Sequence, residues 1–314
     1  MSAPTTHHHD EHAPPPETVE VADGVFAYVQ PDGSWWINNT GFVVGTTGVA
    51  AVDACATERR TADFIAAIGR ASAQPIRTLL NTHHHGDHTN GNCLFPDAAI
   101  IGHRRCREGV AAGAIGGLDA LFTPVDWGDL EVTPPFVTFD ERLDVFVDDR
   151  RIEVHFIGGP AHTVGDAVAW LPGERVLFAG DLVFNGGTPF VLMGSVAGSL
   201  TAVERVRAFG ATTIVPGHGA VCGPEALDTI AGYLSFVQEL ASAGKAAGAP
   251  PLEVARQADL GPYRELLDSE RIVGNLHRAY AELDGAELGS PIDIRAAFAG
   301  MIEYNGGRPL RCMA

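Results

Sequence analysis

With 314 residues, a formal net charge of -18 at pH 7 and 46% hydrophobic residues, the chain can bury one large core plus an annex. The acidic balance excludes nucleic acid as a partner, since counterion release from phosphates needs a basic surface. No apolar run nears the ~20 residues of a bilayer span, and the start lacks a basic stretch followed by an apolar one. The expectation is a cytoplasmic protein with no membrane partner. Five cysteines, Cys55, Cys93, Cys106, Cys222 and Cys312, form no Cys-x-x-Cys, and inert reduced thiols are expected.

In chain order, Met1 to Thr18 is rich in Pro and His (His7, His8, His9, His12) and reads as a disordered tail. Val19–Val29 and Trp35–Val44 read as one hairpin around Pro31-Asp32-Gly33-Ser34. Trp35 and Trp36 follow that turn. Adjacent side chains on a strand face opposite ways, so one core ring and one exposed ring is weighed against an apolar flap over a site. Strand Gly48–Val52, ending in Asp53, then helix Arg59–Ala71, then strand Ile76–Asn81 make a βαβ unit, which implies a partly parallel sheet.

That last strand runs into Thr82–Asn92, THHHGDHTNGN, with four histidines and one aspartate within six positions, His83 to His88. A histidine run can be a solvated loop. Here an apolar strand precedes it, Gly86 frees the backbone inside it, and Asp87-His88 closes it. Imidazoles and carboxylates at the end of a buried strand suit a borderline cation such as zinc. His83 and His85 alternate and can converge on one metal, while Asp87-His88 can turn toward a second.

Beyond the motif, Ala98–Ile101 reads as a strand and His103–Ala112 as a helix, with His103 structural. Gly113–Pro135 reads as loop that wraps the site. Phe136–Phe139, Leu143–Val147 and Arg151–Ile157 read as an antiparallel set in which His155 packs. Three further candidates each follow a β-run beside or near a glycine: His162 in GGPAHTVGD, Asp181 in VLFAGDLVF and His218 in TIVPGHGAVCG. Asn185–Leu200 is apolar and glycine-rich and reads as a substrate-facing loop walled by Phe190, Val191, Leu192 and Met193, so the substrate carries an apolar portion. Helices are expected at Leu200–Phe209, Glu225–Lys245, Leu252–Leu260, Pro262–Ala281 and Ile292–Tyr304.

The ordered set His83-x-His85-x-Asp87-His88, His162, Asp181, His218 resembles the metallo-β-lactamase-fold hydrolase superfamily over roughly Val19 to Pro224. The resemblance implies an α/β, four-layer αβ/βα sandwich over residues 19–224, with residues 225–314 as a helical C-terminal extension similar to the glyoxalase II cap. It implies two Zn2+, with Mn2+ or Fe2+ as alternatives. His83, His85 and His162 would bind one metal, Asp87, His88 and His218 the other, and Asp181 would bridge them. Asp53 would orient the histidine loop. Asp87 would also be catalytic, aligning a metal-bridging hydroxide for attack on a small-molecule acyl substrate. True β-lactamases of the fold usually carry Cys or Ser where Asp181 stands, so ester, thioester or lactone hydrolysis is expected over β-lactam cleavage. A mononuclear iron persulfide dioxygenase is the competing reading. Lys245, Arg264, Arg271 and Arg278 form no evident anion clamp, which argues against glutathione. Assembly is left open, with a homodimer as one form.

Overall fold

The protein is described by a computed structural model covering residues 14–113 and 121–314. The tail expected at residues 1–13 lies outside the described residues, as do residues 114–120 of the expected wrapping loop.

Seven strands form the first sheet in chain order: β1 (Glu17–Ala22), β2 (Val25–Val29), β3 (Thr40–Val44), β4 (Val49–Val52), β5 (Ile76–Asn81), β6 (Ala99–His103) and β7 (Val137–Phe139). β1 to β4 pair antiparallel and β4 to β7 pair parallel. The crossover between β4 and β5 is helix α1 (Glu58–Ala71), and α2 (Gly86–Thr89) and α3 (Arg104–Ala112) flank β6. The second sheet holds β8 (Arg142–Val147), β9 (Arg150–Phe156), β10 (Ala167–Leu171), β11 (Val176–Asn185) and β12 (Thr213–Gly219), in the order β12-β11-β10-β9-β8. Only β11 and β12 are parallel there. α4 (Val196–Ala208) joins them. α5 (Ala226–Ala247), α6 (Pro251–Gln257), α7 (Arg271–Leu283) and α8 (Ile294–Tyr304) follow.

The period-2 alternation of the strands sorts side chains into layers. Phe42, Ala51 and Leu79 face outward onto α1, whose Phe64, Ala67 and Ile68 form one stripe at helical spacing. Their neighbours Val43, Ala50, Val52 and Leu80 face inward and meet Val145, Ile152, Val154, Ala169 and Phe178 of the second sheet. On the far side, Val168, Leu177 and Ala179 pack against α4, α5, α7 and α8. The result is the αβ/βα sandwich. β11 is buried on both faces and shows no hydrophobic/polar alternation.

Several boundaries differ from the sequence expectation. Val19–Val29 is itself a hairpin, turned at Asp23-Gly24, and β1 begins at Glu17, which pairs with Val29. The expected tail therefore ends two residues early, because backbone pairing holds a segment whose side chains stay exposed. Trp35–Asn39 is not strand: Trp36 sits at φ 68, outside the β region. β7 joins the first sheet parallel to β6, not the antiparallel set. α4 begins at Val196, because the Ser195 hydroxyl accepts from Gly198 N–H as N-cap. Pro262 belongs to a short 3-10 turn, and α7 begins only at Arg271.

Candidate metal centre

The site lies where strand ends of both sheets meet. β5 delivers His83 and His85 in the turn before α2, and α2 carries Asp87 and His88. The β9–β10 loop delivers His162. Asp181 and His218 come from adjacent parallel strands, β11 and β12. Contrary to the sequence expectation, neither Asp181 nor His218 lies past the end of its strand, and β12 runs on to Gly219. β11 continues to Asn185, with register irregularities between Phe178 and Phe184 and Gly180 at φ 52. Gly217 beside it is obligatory, since a Cβ there would stand 1.9 Å from Asp181 Oδ1.

Two groups of ligand atoms result, each within 4.8 Å of one another: His83, His85, His162 and Asp181, and Asp87, His88, Asp181 and His218. Asp181 is common to both. Its Oδ2 lies 3.3 Å from His162 Nε2 and 3.4 Å from His218 Nε2, and its Oδ1 lies 3.0 Å from His88 Nε2. His218 Nε2 is 3.2 Å from Asp87 Oδ2. All seven residues named from the sequence therefore converge.

The surrounding polar groups orient these rings. Asp53 accepts from Thr82 N–H at 2.8 Å and from the Thr82 hydroxyl at 2.7 Å, and its Oδ2 meets His88 Nδ1 at 2.8 Å. The Thr82 proton is thus committed to Asp53, so its oxygen is free to accept from His83 Nδ1 at 3.1 Å. The Phe190 carbonyl accepts from His162 Nδ1 at 2.5 Å. Such partners place the proton on Nδ1 and leave Nε2 with its lone pair. His218 has no such partner among the described residues. Its ring instead stacks on Phe184 at 5.2 Å and 3°.

The electrostatics follow from burial and from opposite charges at close range. Burial pushes His83 and His85 well below the ordinary histidine range, with neighbouring imidazoles adding to it. Burial also lowers His88 and His218, but the Asp181 carboxylate, with Asp87 and for His88 also Asp53, outweighs it and raises both. Asp181 is held well below the carboxylate range: burial raises it, but His218, His88 and His162 prevail.

Among the described residues His83 Nε2 and His85 Nε2 are buried without a hydrogen-bond partner, and His88 Nε2 and Asp181 Oδ1, though 3.0 Å apart, make no hydrogen bond. Orphaned buried acceptors are costly unless something satisfies them. His162 Nε2 and His85 Nδ1 stand 2.7 Å apart, where one proton at most fits between two lone pairs. Nitrogen and oxygen donors so arranged fit divalent metal cations.

A cavity of about 570 Å³ opens onto this cluster. His85, Asp87, His162, Asp181 and His218 line its metal-ligand part, and Trp35, Trp36, Phe122, Trp127, Phe190 and Phe298 line an aromatic part that adjoins it, with Trp36 packed beside Gly86 and Phe190 beside His162. Both tryptophans line the cavity, Trp35 as a buried ring of the core and Trp36 as a partly exposed one. Of the expected loop wall, Phe190 and Met193 line the cavity, whereas Val191 and Leu192 turn into the core at 3% and 0% exposure. Phe298 and Arg271, from the extension, were not singled out as wall residues. Neither was His84, whose imidazole burial pushes down to about 4. Among the other histidines, His103 stacks on Phe156 at 4.0 Å, His155 meets Glu153 at 2.9 Å, and half-buried His277 lies on α7. None joins the cluster.

The chain belongs to the metallo-beta-lactamase superfamily, which it matches over residues 33–218. Within that class, a 2,4-dinitroanisole O-demethylase subunit alpha from Nocardioides sp. (strain JS1661) is 30% identical over 181 residues, 56% of this chain and 51% of that one. The hydroxyacylglutathione hydrolase of Rhodospirillum rubrum is 29% identical over 179 residues, 56% of this chain and 59% of its own, and such relatives support the glyoxalase II-like branch. The chain spans about half the length of the curated relatives it matches. In fold it is similar to a metallo-beta-lactamase from Pontibacter korlensis, with a TM-score of 0.59 and 19% identity over 70% of this chain and 99% of that one. Among the described residues no helix is long and apolar enough to cross a membrane.

Proposed function

We propose that the protein is a hydrolase that uses two divalent cations, zinc foremost, to cleave an ester, thioester or lactone with an apolar portion. The observation that carries this reading is the sharing of Asp181 between two complete ligand groups. His83, His85 and His162 would hold one cation, Asp87, His88 and His218 the other, and Asp181 both. When bound, such a pair supplies Lewis acidity and a water deprotonated near neutral pH. Asp53 holds His88 and, through Thr82, the backbone entering the histidine loop. The Phe190 carbonyl fixes the His162 tautomer. Asp87, held below the usual carboxylate range by His88 and His218 against its own burial, offers an ionised oxygen to orient a nucleophilic water. The cavity wall beside these groups is largely apolar.

An aryl ether is the second reading, favoured by the aromatic cavity and by the relative named a 2,4-dinitroanisole O-demethylase subunit. The test is metal analysis combined with a panel of thioesters, lactones, p-nitrophenyl esters and nitroanisoles, assayed with zinc, manganese and iron enzyme. About two metals per chain and hydrolysis of an acyl substrate are expected. One iron per chain with oxygen uptake would point to a dioxygenase and end the hydrolase assignment.

A further inference from the structure

The aromatic part of the cavity wall presents ring edges and faces, beside the aliphatic side chains of Val110, Val132, Met193 and Ile294. Trp36 meets Phe122 at 5.7 Å and 86° and Trp127 at 4.8 Å and 69°. Phe122 meets Phe298 at 6.1 Å and 69°, and Phe298 meets Phe190 at 6.4 Å and 66°. Edge-to-face rings of this kind present π faces and polarised C–H edges to whatever enters between them.

These rings come from distant parts of the chain, and Phe122 and Phe298 are tied to the C-terminal extension. Phe298 stands on α8. Phe122 is held by a strap. Leu310 N–H donates to Leu121 O at 2.9 Å, Thr123 N–H donates to Leu310 O at 2.8 Å, and Cys312 N–H donates to the Thr123 hydroxyl at 2.9 Å. Leu310 is fully buried. Trp35 is anchored by its indole N–H to Glu270 at 2.7 Å. A wall held this firmly gives up little entropy when a rigid ligand enters.

Charge narrows the ligand further. Arg271 is the one Lys or Arg among the described residues lining the cavity. Its guanidinium is already committed to Asp268 at 2.8 Å, to the Thr188 carbonyl at 3.0 Å and to the face of Trp35 at 4.1 Å. Its Nε is unpartnered but buried and the residue is 1% exposed, so among the described residues this wall presents no accessible cation to a carboxylate, and an acylglutathione with its two carboxylates is poorly matched.

We propose that this part of the cavity is a subsite for an uncharged aromatic ring of the substrate, seated among Trp36, Phe122, Trp127, Phe190 and Phe298. The inference rests on the hydrolase reading only for the statement that the ring belongs to a hydrolysed substrate. Matched ligands test it without turnover: 4-phenyl-2-butanone against 4-cyclohexyl-2-butanone, each titrated into the metal-loaded protein. Quenching of tryptophan fluorescence reports binding, since Trp35, Trp36 and Trp127 stand in the wall. The phenyl ketone should bind at least fivefold more tightly, in line with ring–ring contacts worth up to roughly tenfold. Phe122→Leu and Phe298→Leu should each pull that ratio toward one while leaving the cyclohexyl ketone within about twofold. Equal affinities, or binding of neither ketone, would overturn the proposal. Ring-selective binding in a protein that hydrolyses no ester would uphold it and defeat the hydrolase reading alone. Equal kcat/KM for phenyl and cyclohexyl esters together with equal binding would do the reverse.

Discussion

The two ends of the cavity are built by opposite strategies. At the histidine end, four of the seven converging residues come from one short turn after β5, and Asp53 and Thr82 hold that turn from behind. At the ring end, Trp36, Phe122 and Phe298 come from three distant segments, and none is next to another in sequence. The first end is specified locally and needs polar atoms at fixed positions. The second is specified by tertiary packing and needs only shape and flat rings. On the proposed reading chemistry belongs to the local end and selectivity to the assembled one, so variants at the two ends should fail in different ways.

The largest effect separating them is expected at the shared carboxylate. Asp181→Ala and His85→Ala should each lower kcat/KM by at least about a thousandfold, with circular dichroism and melting cooperativity retained. Normal turnover in either variant would break the division between the ends. A smaller effect should follow from the residue behind the ligands. Asp53→Asn keeps the shape but weakens the acceptor for His88 and Thr82, and metal affinity measured by competition with a chelator should fall by about 10- to 100-fold. An unchanged affinity would mean the loop holds itself without Asp53. The smallest effect concerns a histidine that belongs to neither end. Burial lowers His103 below the ordinary value, with the neighbouring Arg105 and Arg104 adding to it and the Asp140 carbonyl opposing it. As the pH falls below about 6.5, the unfolded chain takes up this proton before the folded one does, so stability present above that value declines on acidification. His103→Asn, which keeps an acceptor for the Arg105 N–H, should flatten the fall in the urea midpoint between about pH 6.5 and 5 without changing metal content. A slope that does not change would show that His103 does not contribute to it.

The same contrast explains what could be read from the sequence. His83, His85, Asp87 and His88 stand out because polar ligands directly after an apolar strand have few structural uses. His162, Asp181 and His218 stand out as ligand-type residues after apolar β-runs and near glycines, although the structure carries β11 past Asp181 and β12 past His218. The partly parallel first sheet was legible from the strand–helix–strand order of β4, α1 and β5, whereas the four-layer sandwich followed only from the resemblance carried by the ligand set. The ring end was not legible, because Phe122 and Phe298 are ordinary apolar residues until folding brings them together. The Trp35–Val44 strand was misread because a left-handed φ at Trp36 leaves no mark in composition. Placing β7 in the second sheet failed for a related reason: a three-residue strand pairs by tertiary position, not by pattern. Asp181 lies inside β11 because an irregular parallel pairing with β12 carries the strand past it.

The strap that holds Phe122 carries a consequence for biosynthesis. Phe122 leaves the ribosome long before Leu310, its hydrogen-bonding partner through Leu121 and Thr123, has been translated. The histidine turn and its βαβ scaffold can close on a nascent chain, whereas the aromatic wall must wait for the last helix and the segment after it. Until then its tryptophans and phenylalanines are uncovered, and that interval is when the growing polypeptide is most exposed to aggregation.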